Sequence, residues 1–154
     1  MHSATKVAKY LIDTLNNQQG CRDVTLLKVI KLTYIAHGWM LALCDRPLIS
    51  EDVEAWQYGP VIPELYRDLK QFGRDHITTL NDAYHVELDE QESSIVEQVC
   101  EIYGKYTASQ LVGMTHAKGT PWSDIWRAGK GFRVIISNES IKAYYKRLAE
   151  GSNA

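Results

Sequence analysis

Near its N-terminus the chain carries Ala4, Val7, Ala8, Leu11, Ile12 and Leu15 at spacings of three and four, with Lys6, Lys9 and Asp13 between them. That period predicts an amphipathic helix with one buried face, opened by Ser3 as N-cap and stopped by Gly20 just beyond its end. From Thr25 to about Leu43 the pattern changes. Leu26, Leu27, Ile30, Leu32, Tyr34, Ile35, Trp39, Met40 and Leu43 point in nearly every direction around a helix. A helix apolar on most sides needs neighbours on most sides, so this one is predicted to be the heart of the core. Asp45-Arg46-Pro47 breaks it. The period then shortens to two, and Val53 to Tyr58 reads as a strand with Val53 and Ala55 on one face and Trp56 and Tyr58 on the other. Gly59-Pro60 ends that strand and turns the chain directly into a third helix of about ten residues. This helix opens with Pro63 in the first helical position, carries Leu65, Tyr66, Leu69 and Phe72, and closes at Gly73.

In the second half, Asp89 followed three residues later by Glu92 forms a capping box for a helix with Ile95, Val96, Val99, Ile102, Tyr103 and Tyr106 inward. Thr107 and Gln110 repeat the device for a shorter helix through Leu111, Val112 and Met114, interrupted by Gly119. Pro121 opens a helix of one to two turns bearing Trp122, Ile125 and Trp126. Gly129-Lys130-Gly131 is a loop, Phe132 to Ile136 a short strand, and Ser137 the cap of a last helix with Ile141, Tyr144, Tyr145 and Leu148. The fold class is α+β, mainly α: a compact helical domain with a small antiparallel sheet or hairpin. No linker, repeat or low-complexity tract divides it, so residues 1–154 are expected to form a single domain.

Composition narrows the function. The chain has 154 residues, 45% of them hydrophobic and 23% charged, which argues against a disordered tail and against a multidomain enzyme. Seventeen Lys and Arg against nineteen Asp and Glu give a formal charge of -2, so no global positive field favours nucleic acid as a partner. The apolar stretch from Leu26 to Leu43 contains Lys28, Lys31 and His37, and reads as neither signal peptide nor membrane span. Cys21, Cys44 and Cys100 are an odd set without a CxxC pair, which fits a reducing cytoplasm and offers no zinc site.

Candidate chemistry is sparse. No metalloprotease, hydrolase, P-loop or dinucleotide fingerprint is present, and Gly129-Lys130-Gly131 reads as a basic turn rather than a phosphate cradle. His116, with Asp124 eight residues on, is either a general base with its orienting carboxylate or a structural histidine bonded into the loop before Pro121. No nucleophile is marked, and Cys100 reads as an inert small hydrophobe. Neither enzyme activity nor a metal or cofactor is therefore expected. Lys28 and Lys31 share one side of the central helix, either as a solvated stripe or as a charged groove near His37. Arg127, Lys130 and Arg133, followed by Lys142, Lys146 and Arg147, form a candidate patch for an acidic protein or RNA. Trp56 and Tyr58 beside Gly59-Pro60, and Trp122 and Trp126 around the turn at Pro121, are large rigid side chains at two backbone elbows. They read as interface anchors or as core.

Taken together, Lys31-Leu32-Thr33-Tyr34-Ile35-Ala36-His37-Gly38-Trp39, then Glu54-Ala55-Trp56-Gln57-Tyr58-Gly59-Pro60-Val61 with Tyr66, then Thr115-His116 with Pro121-Trp122, then Ile136-Ser137-Asn138-Glu139 resemble the Panacea domain family of SocA-like antitoxins and phage-associated GepA-type proteins. The resemblance runs over nearly the whole chain. It implies an antitoxin of a toxin-antitoxin system that neutralises a co-encoded protein toxin by direct contact. In the SocA branch it implies an adaptor that delivers the toxin to the ClpXP protease. Many relatives carry an added DNA-binding domain for which this length leaves no room, so operator binding is not expected. Trp39, Gly59, Pro60, Tyr66, Thr115, His116 and Pro121 are signature positions expected to preserve the fold. Trp56, Tyr58, Trp122, Trp126, Arg127, Lys130 and Arg133 are the expected partner-binding residues.

Overall fold

The computed structural model describes residues 1–18 and 23–151; the helix stop assigned to Gly20 and the Cys21 thiol lie outside the described residues. Helix α1 (Ala4–Asn16) starts where Ser3 Oγ accepts from the Lys6 N–H, and its apolar stripe is wholly buried. Helix α2 (Leu26–Cys44) runs from Thr25 to Asp45, which leaves the helix in the left-handed conformation at φ 57°. α2 is long and apolar enough to cross a membrane, yet most of it is buried inside the protein, as a core helix is.

Helices α1, α4 (Glu90–Tyr103), α5 (Ala108–His116) and α7 (Asn138–Ala149) pack around α2, so the residues from Lys28 to Leu41 are buried apart from Trp39. α7 comes closest. A Cβ on Gly38 would stand 2.3 Å from the Tyr145 ring, so only glycine lets that ring lie on the α2 backbone. Trp39 packs edge-on to Tyr145 at 5.1 Å and donates its indole N–H to Tyr103 Oη at 3.1 Å, tying α2 to α7 and α4. His37 holds the same centre by hydrogen bonds. Its Nδ1 accepts from the Leu48 and Ile49 N–H groups at 3.2 and 3.4 Å, which leaves Nε2 to donate to Asn138 Oδ1 at 2.9 Å.

The sheet has three short antiparallel strands in the order β2-β1-β3: β1 (Val53–Trp56), β2 (Gly59–Val61) and β3 (Ile135–Ile136). Two expectations change here. Tyr58 does not share a strand face with Trp56. The strand stops at Trp56, Gln57 and Tyr58 make a two-residue turn, and Gly59 pairs back with Trp56. Gly59-Pro60 is accordingly the start of a second strand rather than an end. Gly59 takes φ 113°, which permits the reversal one step earlier than alternation suggests, and Pro60, lacking an N–H, is tolerated because β2 is an edge strand. The predicted strand from Phe132 to Ile136 is likewise cut to its last two residues. Arg133, at φ 67°, bends the chain while still donating its N–H to Ala55 O at 2.7 Å.

Helix α3 (Pro63–Leu69) continues as a 3-10 turn to Phe72, and Gly73 closes it at φ 57°. Both capping boxes are present, Asp89 with Glu92 on α4 (Glu90–Tyr103) and Thr107 with Gln110 on α5 (Ala108–His116). α6 (Pro121–Trp126) and α7 (Asn138–Ala149, capped by Ser137) complete the mainly helical α+β fold. Ile102, expected inward, is exposed at 54%, and Tyr106 lies beyond the end of α4. Ile102 sits at the edge of its stripe, where helical periodicity discriminates least.

Candidate functional site

Three of the four rings suspected from sequence as two separate pairs, Trp56, Trp122 and Trp126, join one array. Trp56 on β1 donates its indole N–H to Glu54 Oε1 at 3.0 Å, its neighbour two residues back on the same strand face. The Arg133 guanidinium lies 5.5 Å over the Trp56 ring and its Nε is 3.4 Å from the same Glu54 oxygen, so the indole is fixed from edge and face together. Tyr66 of α3 stands 5.4 Å from Trp56 and Phe132 6.0 Å. Phe132 meets Trp126 edge-on at 6.4 Å, Trp126 stacks on Trp122 at 5.4 Å and 19°, and Trp122 lies 5.3 Å from His116. Six rings thus follow one another from α3, across the hairpin, to α5. The Trp122 indole N–H donates to Trp56 O at 2.7 Å and pins α6 to β1.

The array runs from buried to open. Trp122 is 8% exposed, whereas Tyr66 is 37%, Phe132 53% and Tyr58 62%. Trp56, Tyr58, Tyr66 and Phe132 wall a cleft of about 290 Å³ whose other side is Leu26, Leu27, Ile30 and Lys31 of α2 with Val61 of β2. Tyr58 belongs to the site through this cleft.

The loop beside the rings is conformationally unusual. Among the described residues four non-glycine positions have positive φ, and three of them, Arg127, Ala128 and Arg133, lie in this one stretch. A left-handed residue costs roughly 1 to 2 kcal/mol, so something must hold the loop there. Hydrogen bonds from Gly131 N to Trp126 O and from Ala55 N to Val134 O do so, and Gly131 is required because a Cβ would stand 1.9 Å from Ile125 O. The outcome is that Phe132 is pressed between Trp56 and Trp126 while Arg127, Lys130 and Arg133 face solvent. The later cations Lys142 and Arg147 have partners of their own. On α7, Lys142 pairs with Asp45 and Arg147 lies over Tyr144.

Several sequence readings change. Lys28 and Lys31 are not a solvated stripe; both are buried, 1% and 0% exposed. Lys28 Nζ donates to Asp23 Oδ1 at 2.8 Å and Gly104 O at 2.6 Å, and Lys31 Nζ donates to Pro60 O at 2.8 Å. His116 forms no dyad with Asp124 and is not bonded into its loop. Its Nδ1 is buried without a hydrogen-bond partner among the described residues, and its contact is the Trp122 ring. Thr115 is buried and bonds back to Leu111 O at 2.9 Å, and Pro121 is buried in the first turn of α6. Phe132 was missed as a site residue; its signal was only that of a strand residue. Among the described residues no cluster of three His, Cys, Asp or Glu side chains is placed to hold a metal ion.

This is a mainly helical α+β protein built on one central helix, with six rings joined in an array across the hairpin. Residues 29–123 match the family model described as antitoxin SocA-like, Panacea domain. Over 140 residues the chain is 33% identical to Antitoxin SocA of Caulobacter vibrioides (strain NA1000 / CB15N), covering 83% of this chain and 72% of that one. The chain belongs to the SocA-like antitoxin family. No solved structure matches it. The family match takes in Lys31, Trp56, Gly59, Tyr66 and Trp122, while Trp126 and the strained basic loop follow it in the chain.

Proposed function

We propose that this chain acts as a cytoplasmic, non-enzymatic antitoxin that neutralises a co-encoded protein toxin by binding it directly, with the ring array and its basic loop as the binding surface. Family membership supports the antitoxin role. The observation that carries the choice of surface is the juxtaposition of exposed Phe132, Tyr66 and Tyr58 with Arg127, Lys130 and Arg133 around a firmly braced Trp56. Aromatic side chains and arginine dominate interface energetics, and a rigid ring loses little entropy on binding. Backbone strain held at an exposed segment accords with the same role. A specific complex should bury roughly 1,200 to 2,000 Å² in total, so the contact would extend beyond the cleft.

The test is co-expression of the chain with the product of the adjacent gene, in cells with and without ClpXP. Growth rescue and a co-purifying complex in both strains is the expected result. Rescue confined to the strain with the protease would replace occlusion by delivery to ClpXP. Neither rescue nor complex with any neighbouring product would defeat the antitoxin reading.

A further inference from the structure

The two buried lysines of α2 are treated differently. Lys28 has Asp23 and Gly104 as partners, whereas Lys31 has Pro60 O and, among the described residues, no carboxylate. An ammonium group carries three N–H donors, so two of those on Lys31 have no described acceptor. Burial pushes the Lys31 pKa down to about 7, and no neighbouring charge offsets it. A buried cation without a counter-charge costs stability that methionine at the same position would not, so its presence calls for a role. One further observation places that role at the cleft: Lys31 is one of the residues lining it, together with Trp56, Tyr58, Tyr66 and Phe132. The ammonium itself packs closely against the hairpin, where a Cβ on Gly59 would stand 2.9 Å from Lys31 Nζ and 3.3 Å from Thr115 Oγ1.

We infer that the cleft receives an Asp or Glu side chain of the toxin and that this carboxylate pairs with Lys31. The inference rests on the toxin-binding reading and adds the chemistry that is recognised. The flexible four-carbon stem of lysine lets the ammonium leave Pro60 O for the incoming group. The aromatic walls exclude water around the pair, which strengthens it relative to a surface salt bridge. Arg133 over Trp56, with the exposed Arg127 and Lys130, draws an acidic segment toward the mouth.

The experiment compares the full chain with its Lys31→Met variant for binding to the toxin encoded beside it, with thermal midpoints recorded for both. The variant is expected to melt at or above the wild-type midpoint and to bind about tenfold to a hundredfold more weakly. Alanine replacement of the toxin's acidic residues should find one whose loss costs the wild-type chain a similar factor and costs Lys31→Met nothing further. Equal binding by wild type and variant overturns the inference and leaves the antitoxin reading standing. Failure of the wild type to bind defeats that reading itself. Should Lys31→Met not fold, NMR of the wild-type chain labelled at its lysine side chains decides. The Lys31 pKa should rise in the complex as the carboxylate arrives, with His116, Tyr58, Tyr66 and Arg133 the other titratable or charged groups around it. An unmoved Lys31 overturns the inference, and so does the same shift produced by acetate or inorganic phosphate without toxin, which would mark a small-anion site.

Discussion

Lys31 shows how far a single side chain departs from what its type suggests. Periodicity gives the direction of each residue on α2 but not which neighbours reach it, so a lysine defaults to solvent; burial here depends on a hairpin some thirty residues away. The consequence is measurable. In the unfolded chain Lys31 keeps its proton to about pH 10, whereas folding lowers its pKa to about 7. Between these values the unfolded state binds more protons, so stability rises with pH across the window and is lost again as pH falls toward 7. Below that, both states are protonated and this contribution is flat. The thermal midpoint should therefore climb between about pH 7 and pH 9.5, and Lys31→Met should remove most of the climb. A wild-type midpoint flat over that range would contradict the burial of a lone ammonium. Tyr34 and Tyr145, whose pKa values burial pushes up, reverse the trend above the ordinary tyrosine range. His37 was legible only as a polar residue on an apolar helix. His37→Ala leaves the Leu48 and Ile49 N–H groups and Asn138 without their partner and opens a cavity, and should cost about 2 to 4 kcal/mol by urea unfolding. A loss under half a kcal/mol would show that water replaces the ring.

Among the elements, helices were readable where a cap coincided with a period, as at Ser3, Asp89, Thr107 and Ser137. Strands were not, because two to four residues are too few for alternation to fix an end. The hairpin turn is set by Gly59 pairing with Trp56, a contact that local pattern does not encode. The loop after α6 reads from sequence only as a basic turn, and the structure makes it a strained, hydrogen-bonded segment. Ala128, at φ 57° and ψ 35°, should accept glycine with a gain of up to about 1 kcal/mol, seen as a higher urea midpoint at unchanged slope. A lower midpoint would mean that alanine is preferred there for a contact not evident in the fold. Gly131→Ala should act oppositely, displacing Phe132 and weakening toxin binding more than it lowers the melting temperature, because the clash with Ile125 O falls at the edge of the core.

At the scale of the molecule, α3, β1, α5, α6 and the loop each supply part of one surface, and the array exists only when residues 56, 66, 116, 122, 126 and 132 come together. Sequence supplied three of those rings, Trp56, Trp122 and Trp126, as members of two separate pairs, and supplied Tyr66 and His116 as signature positions, but not their joining. The basic side chains show a similar limit. Arg133 braces Trp56 as well as carrying charge, so the test of long-range attraction belongs to Arg127 and Lys130. Reversing both should slow association with the toxin severalfold at low salt and leave stability within about half a kcal/mol, the usual behaviour of exposed charge. An unchanged rate would remove them from the surface. The most direct measurement is the dissociation constant of the toxin for Phe132→Ala beside Ile102→Ala, two exposed apolar side chains on different parts of the molecule. If the ring array is the toxin-binding surface, Phe132→Ala weakens the complex about thirtyfold or more while Ile102→Ala stays within about twofold of wild type. Equal, small effects from both, or a large loss from Ile102→Ala alone, would place the interface elsewhere.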